Sequence, residues 1–278
     1  MNPRPVFQLP PDVPGVADSA ARAGARELLR HWRNLDPDQI DEKARNDLVT
    51  VADREAEAAV IAVIRDRFPD HAILSEESGW TARNDDAPTW IVDPLDGTTN
   101  FVHGLPQFAV SVAVAVRGTV EAGVILDPIR DDVFAATRGA GATWNGRPCH
   151  VSGRSGLGGA LLATGFPFRA HALLDAYLAI FRDVFLRAKA IRRPGAAALD
   201  LAWTACGIFD GFFEFKLSPW DVAAGSLLVE EAGGTVSDMD GGREFLDSGN
   251  VVCGTAGVHR ELLGVVAAHR EAWAALSG

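Results

Sequence analysis

Cysteine is scarce in this sequence, and the three present, Cys149, Cys206 and Cys253, are far apart. No CxxC pair exists, which removes the usual zinc and dithiol frameworks. Three scattered thiols in 278 residues read as free thiols in a reducing, cytoplasmic setting. Long apolar runs are missing as well. Phe108 to Val116 is the longest stretch, is interrupted by Ser111, and falls short of the roughly 18 residues a membrane span needs. The N-terminal MNPRPVFQLPPDVPG lacks the continuous apolar segment of a signal peptide. Cations are few beside acids: 26 Lys and Arg against 37 Asp and Glu leave a net charge of −11. No basic stripe offsets that acidity, so direct nucleic-acid binding is not expected. An anionic small molecule stays open, because bound cations can invert the charge of an acidic pocket.

The rest of the composition, 47% apolar and 23% charged, excludes a disordered chain. At this length roughly three-quarters of the unfolded surface can be buried, so the core needs no covalent staples. Residues 1–15 read as a Pro-rich arm. Helical spacing follows from Val16 to Trp32. Thr50-Val51-Ala52-Asp53 resembles a capping box, with a helix from Glu55 to Phe68 that Pro69 ends. Short apolar runs then read as strands, at Ala72–Leu74, Trp90–Val92, Phe108–Val116, Val120–Leu126 and Val133–Ala136, and Gly139 to Gly146 reads as a hairpin. From residue 155 strands and helices alternate, with helices at His171–Phe185, Ala196–Cys206, Trp220–Ala232 and Val258–Leu276. The order predicts a layered α/β sandwich, with 16–154 and 155–278 as two halves joined by the small, polar Ser152 to Gly156.

The chemistry concentrates in Trp90-Ile91-Val92-Asp93-Pro94-Leu95-Asp96-Gly97-Thr98-Thr99-Asn100-Phe101. An apolar strand runs into two aspartates, and Pro94 is expected to break the strand and turn the chain sharply. Such a turn can aim both carboxylates at one point with the Leu95 carbonyl between them, a hard oxygen set suited to Mg²⁺. Gly97-Thr98-Thr99 then supplies small residues at a possible helix start, where backbone amides suit a phosphate. Taken alone, the segment fits an Asx turn after a strand equally well. Two more acidic places shift the balance: Glu76-Glu77 at a strand end, and Asp221 at a helix start after Ser218-Pro219. Carboxylates gathered in apolar surroundings repel one another unless cations neutralise them.

These residues resemble the inositol monophosphatase family, the lithium-sensitive, Mg²⁺-dependent phosphatases. The matching motifs are Asp47-Leu48-Val49-Thr50 with Asp53, Glu76-Glu77-Ser78, and Asp93 through Phe101. Gly195 through Leu201, Trp220 through Gly225, and Glu231-Ala232-Gly233-Gly234 extend the match over nearly the whole chain from residue 16. The resemblance implies an αβαβα sandwich of the inositol monophosphatase and fructose-1,6-bisphosphatase type, assembled as a homodimer. It implies two to three Mg²⁺ ions held by Glu76, Asp93, the Leu95 carbonyl, Asp96 and Asp221. Divalent cations neutralise a phosphate, polarise its oxygens and lower the pKa of water. By resemblance Asp47 and Thr98 orient and deprotonate that water, with Glu76 completing the catalytic set. The residues themselves also allow a turn at Asp47 and a helix cap at Thr98. Gly97 and Thr98 match the phosphate-binding amides, Gly195, Ala196 and Ala197 the wall beside the sugar or cyclitol ring, and Glu214 a hydroxyl-binding carboxylate. Arg192 matches a substrate-side arginine, and Lys43 a basic residue near a mobile metal-site loop. Ala196 departs from the family, where a hydroxyl residue is frequent, and this bears on substrate choice.

The expected activity is hydrolysis of myo-inositol monophosphate and related polyol phosphates. Fructose 1,6-bisphosphate, histidinol phosphate and an adenosine 3′,5′-bisphosphate are the rival substrates. A second anionic group would call for additional cations near the pocket, and only Arg192, Arg193 and Lys216 are candidates. A regulatory, protein-binding role on the same fold is the rival of a different class.

Overall fold

The computed structural model describes residues 9–44, 47–82, 87–168 and 170–276. Most of the Pro-rich arm, residues 1–8, lies outside them. The first half runs α1 (Val13–His31), β1 (Ile40–Ala44), β2 (Asp47–Thr50), α2 (Val51–Arg67), β3 (Ala72–Ser75), β4 (Gly79–Ala82), β5 (Thr89–Asp96), α3 (Thr98–Val102), β6 (Ala109–Val116), β7 (Thr119–Asp127), β8 (Asp132–Thr137), β9 (Gly141–Trp144) and β10 (Arg147–Pro148). The second half runs β11 (Leu161–Thr164), α4 (Leu174–Phe185), β12 (Ala190–Arg192), α5 (Ala197–Ala205), β13 (Gly211–Glu214), α6 (Pro219–Glu231), β14 (Thr235–Ser237), α7 (Phe245–Ser248), β15 (Val251–Gly254), α8 (Ala256–Ala268) and α9 (Arg270–Trp273). Eight strands pair in the order β10-β9-β8-β7-β6-β5-β3-β4, five in the order β12-β11-β13-β15-β14, and β1 pairs with β2.

Strand alternation accounts for the layers. On β6, Val110, Val112 and Val114 face a core shared with α1 and α2. Their neighbours Ala109, Ala113 and Ala115 face a central core shared with α5 and α6. On the smaller sheet Phe212 and Cys253 join that central core, while Phe213 and Val252 join a third core under α4 and α8. The stack is therefore helix, sheet, helix, sheet, helix. With both faces of each sheet covered, the strands read as continuous apolar runs. Helix α6, pressed between two sheets, is buried from Val222 through Val229, as a helix that is apolar all round should be.

Three expectations change. Helix α1 starts at Val13, inside the supposed arm, because Pro14 sits in the first turn, where no intrahelical N–H bond is lost. The last helix is broken at His269, whose ring bonds the Asp183 carboxylate at 2.9 Å, and the turn buries Trp273 in the third core. Pro94 does not end its strand, since β5 continues to Asp96. The three cysteines are free, with Cys149 and Cys253 buried and Cys206 half-buried. Among the described residues no helix is long and apolar enough to cross a membrane.

Candidate active site

Sheet register brings the acidic motifs together. Strands β3 and β5 are parallel with Ser75 opposite Val92. The next residue on each, Glu76 and Asp93, therefore leaves the sheet beside the other, and the Glu76 N–H donates to the Val92 carbonyl at 3.1 Å. On its other edge β5 pairs with β6, Asp93 opposite Ser111 and Asp96 opposite Ala109. Three steps on β5 match two on β6, which is a bulge. Strict alternation would send Asp93 and Asp96 to opposite faces, and the extra residue returns both to one. Pro94 is tolerated there because the bulge spares a ladder bond.

Ser111, which interrupts the apolar run of β6, donates its hydroxyl to the Trp220 carbonyl at 3.2 Å. That bond holds the start of α6 against β6. Asp221, in the first turn of α6, accepts from the Ser218 N–H at 2.7 Å as half of a capping box. Carboxylate oxygens of Asp93, Asp96 and Asp221 consequently lie within 4.8 Å of one another. They floor a cavity of about 770 Å³.

The Asp93 charge is poorly compensated by the protein. Asp93 is 1% exposed; its Oδ1 accepts from the Leu95 N–H at 2.9 Å, and its Oδ2 meets no donor. Burial, followed by the charges of Glu76, Asp96 and Asp221, holds the Asp93 carboxyl well above the usual range. Burial and then Asp221 do the same to Asp96, although the Ala198 N–H opposes the shift. A buried carboxylate oxygen without a donor, among other hard oxygens, fits a divalent cation such as Mg²⁺. Glu76, Asp93, Asp96, Asp221 and the Leu95 carbonyl are the residues that would hold it.

Thr98 is not a helix cap. Gly97 occupies the cap position of α3 with φ +92°, and a Cβ there would stand 3.0 Å from the Gln107 carbonyl. The Thr98 hydroxyl lies 3.0 Å from Asp53 Oδ1 and 3.1 Å from the Leu95 carbonyl, either of which can accept its hydrogen bond. Asp53 is buried at the start of α2, where its Oδ2 accepts from both the N–H and the hydroxyl of Thr50. Burial raises the Asp53 pKa against those hydrogen bonds. Asp47 opens β2, and its side chain falls outside the described residues. Lys43 Nζ lies 2.5 Å from Glu77 Oε1 and 3.5 Å from Glu76 Oε1, at the edge of the acidic site.

The second half builds the opposite wall. Asp96 accepts from the Ala197 and Ala198 N–H groups at 3.2 and 2.7 Å, so one carboxylate joins the cavity floor to the start of α5. Asn100 Nδ2 lies 2.9 Å from the Pro194 carbonyl and 3.2 Å from that of Gly195, which fastens this loop to α3. Gly195, Ala196, Ala197 and Glu214 line the cavity. Gly165 leaves Glu214 room, since a Cβ there would overlap its carboxylate. Arg192 is exposed at the end of β12 with its guanidinium on the Ile191 carbonyl, and it does not line the cavity. The adjacent Arg193 does, resting over the Phe168 ring at 5.3 Å. Asp200, within the matched Gly195–Leu201 motif, is fully buried on α5 with Oδ1 unpartnered, and burial raises its pKa well above the usual range.

The inositol monophosphatase family model matches residues 12–273. The chain belongs to the inositol monophosphatase family. Nus factor SuhB of Pseudomonas aeruginosa is 48% identical over 91% of this chain and 95% of its own. The structure is similar to that of the extragenic suppressor protein SuhB of Bartonella henselae, with a TM-score of 0.87 and 42% identity over 91% of this chain and 98% of that one. It is also similar to the inositol monophosphatase of Anabaena, with a TM-score of 0.83 and 38% identity over 92% and 95% of the two chains. Within the family site, the motifs quoted from the sequence supply the cavity floor. Sequence reasoning missed Asp53 as the partner of Thr98, and it gave the substrate-side role to Arg192, with Arg193 named only as a candidate cation near the pocket. The Thr50–Asp53 capping box was legible, but that box uses Oδ2, and nothing local shows where Oδ1 points.

Proposed function

We propose that this protein is a Mg²⁺-dependent phosphomonoesterase acting on inositol monophosphates and related polyol phosphates. The observation that carries the reading is the donor-free buried Asp93 Oδ2 among Asp96 and Asp221, at the floor of an open cavity. When bound, Mg²⁺ supplies positive charge to the phosphate oxygens and eases deprotonation of water. Asp96 and Glu214 stand at the cavity wall, Glu214 as the acceptor for a polyol hydroxyl. Gly97 and Thr98 present the first amides of α3, which have no partner within that helix. With its own proton on a carboxylate, the Thr98 oxygen is free to accept one from the attacking water. Asp53 is the carboxylate within its reach, and Asp47 joins it by family resemblance.

A monophosphate is favoured because Arg193 and Lys216 are the arginine and lysine among the described lining residues, too few for two well-separated anionic groups. Inhibition by Li⁺ and a homodimer belong to the same reading. For the dimer, α4 and its C-terminal neighbour leave Leu174, Leu178, Phe185 and Leu186 exposed. A second reading, a regulatory role through protein contacts, is favoured by the relatives named Nus factor SuhB, such as the one from Pseudomonas aeruginosa. The test is phosphate release from a panel of phosphomonoesters with Mg²⁺ and with chelator. Mg²⁺-dependent release, fastest from inositol monophosphate, supports the reading. No release from any member would overturn it and leave the regulatory role.

A further inference from the structure

Helix α2 packs its buried face, Ala52, Asp53, Ala56, Glu57, Val60 and Ile64, against the large sheet. Glu57 occupies one of these core positions and is 6% exposed. A carboxylate buried without donors costs several kcal/mol, so its partners matter. They are the Ser75 hydroxyl and the Glu77 N–H, the latter at 2.9 Å. These donors flank Glu76 on either side, and the Glu76 N–H is itself held by the Val92 carbonyl. Three successive residues are thus pinned, two by α2 and one by β5.

We infer that Glu57 is a positioning residue, whose carboxylate fixes the turn after β3 so that Glu76 faces the cation site. This inference rests on the Mg²⁺ reading above and adds to it a residue that never touches the metal or the substrate. A ligand on a strand end has no neighbouring turn of helix to hold its backbone, unlike Asp221 on α6. Bracing by an acceptor on another element replaces that rigidity. Partners of this outer kind usually account for 10–100-fold in metal affinity. Glu57 also borders a cavity of about 410 Å³ beside Lys43 and Arg54. A shorter side chain would enlarge existing space rather than open a void in packed core.

The experiment uses the full chain, stripped of metal, with variants Glu57→Ala, Glu57→Gln and Ser75→Ala. Mn²⁺ binding is followed by electron paramagnetic resonance, and backbone hydrogen exchange is followed over the 74–78 segment. Glu57→Ala is expected to weaken Mn²⁺ binding by on the order of 10–100-fold and to speed exchange at Glu77, while kcat at saturating Mg²⁺ stays near wild type. Glu57→Gln keeps an acceptor for the Glu77 N–H and a partner for Ser75, so it should restore affinity to within about threefold of wild type. Ser75→Ala removes one donor and leaves the acid, and it should fall between the two; it carries the test if Glu57→Ala does not fold. Wild-type Mn²⁺ affinity in folded Glu57→Ala and Ser75→Ala refutes the inference. Equal weakening in Gln and Ala would assign the effect to charge rather than position and refutes it too. A wild-type protein that binds no Mn²⁺ would instead bring down the metal reading itself.

Discussion

Two sets of carboxylates, one on the face of α2 and one on the cavity floor, are treated differently by the fold. On the face of α2, Asp53 and Glu57 meet hydroxyl and N–H donors from Thr50, Thr98, Ser75 and Glu77. On the cavity floor, Asp93, Asp96 and Asp221 crowd one another, and one oxygen of Asp93 faces no donor. Acids of the first kind are anchors, because hydrogen bonds repay their desolvation. Acids of the second kind are destabilising alone and become favourable only when a cation joins them. Burial therefore does not distinguish function from structure in this protein; a donor-free carboxylate oxygen marks the site only where, as at Asp93 and unlike Asp200, the residue also lines the cavity.

The largest expected effect comes from the floor. Asp93→Asn and Asp221→Asn should each abolish turnover, since the amide keeps the shape and loses the charge. The metal-free Asp93→Asn protein should melt at a higher temperature than metal-free wild type, because a repelling charge has gone. Steady-state assays and thermal unfolding on one preparation read both. Near-normal rates at saturating Mg²⁺ would erase the contrast between the two sets.

Thr98→Ala comes next and probes the place where the sets meet. If the hydroxyl hands on a proton, kcat falls by on the order of 10²–10⁴-fold with KM little changed. Asp53→Asn should lower kcat in the same direction, as an amide can donate to the Thr98 oxygen and occupy its lone pair. A Thr98→Ala protein that loses about 1 kcal/mol of stability but keeps its rate would reduce the pair to an anchor.

Acidity gives a third test. The folded-state pKa values of Asp93 and Asp96 are raised, so above the unfolded carboxylate value of about 4 the native state binds more protons than the unfolded one. Stability of the metal-free protein should then fall as pH rises from the unfolded value through the raised ones. Added Mg²⁺ should offset that loss, with a larger rise in melting temperature at high pH than at low. Chelator melts across pH that show the opposite slope would contradict the crowding. The smallest effect separates neighbours on the rim. Arg193→Ala should raise KM about tenfold, on the order of 1.4 kcal/mol, while Arg192→Ala should stay near wild type; equal effects would mean that cavity lining does not select the arginine.

The sequence by itself determined the fold class, the layer order and which acids are candidates for the site. Those properties rest on local patterns: apolar runs long enough for doubly covered strands, the Thr50–Asp53 capping box, the helix start at Asp221 after Ser218-Pro219, and the Asp93–Phe101 motif with its family resemblance. The direction of side chains was decided only by tertiary structure. The bulge at Pro94 is defined by β6 opposite it, so a proline that reads locally as a strand breaker in fact brings Asp93 and Asp96 to one face. Likewise Arg192 and Arg193 are indistinguishable as letters, and one step along the chain at a strand end sets one guanidinium on the Ile191 carbonyl and the other over Phe168 at the cavity. The acceptors of Thr98 and of Ser75 and Glu77, the two neighbours of Glu76, come from α2, 45, 18 and 20 positions earlier in the chain. Hydrogen bonds over that span depend on how helix and sheet pack, because short-range patterning sets which face is buried but not which donor waits beneath it.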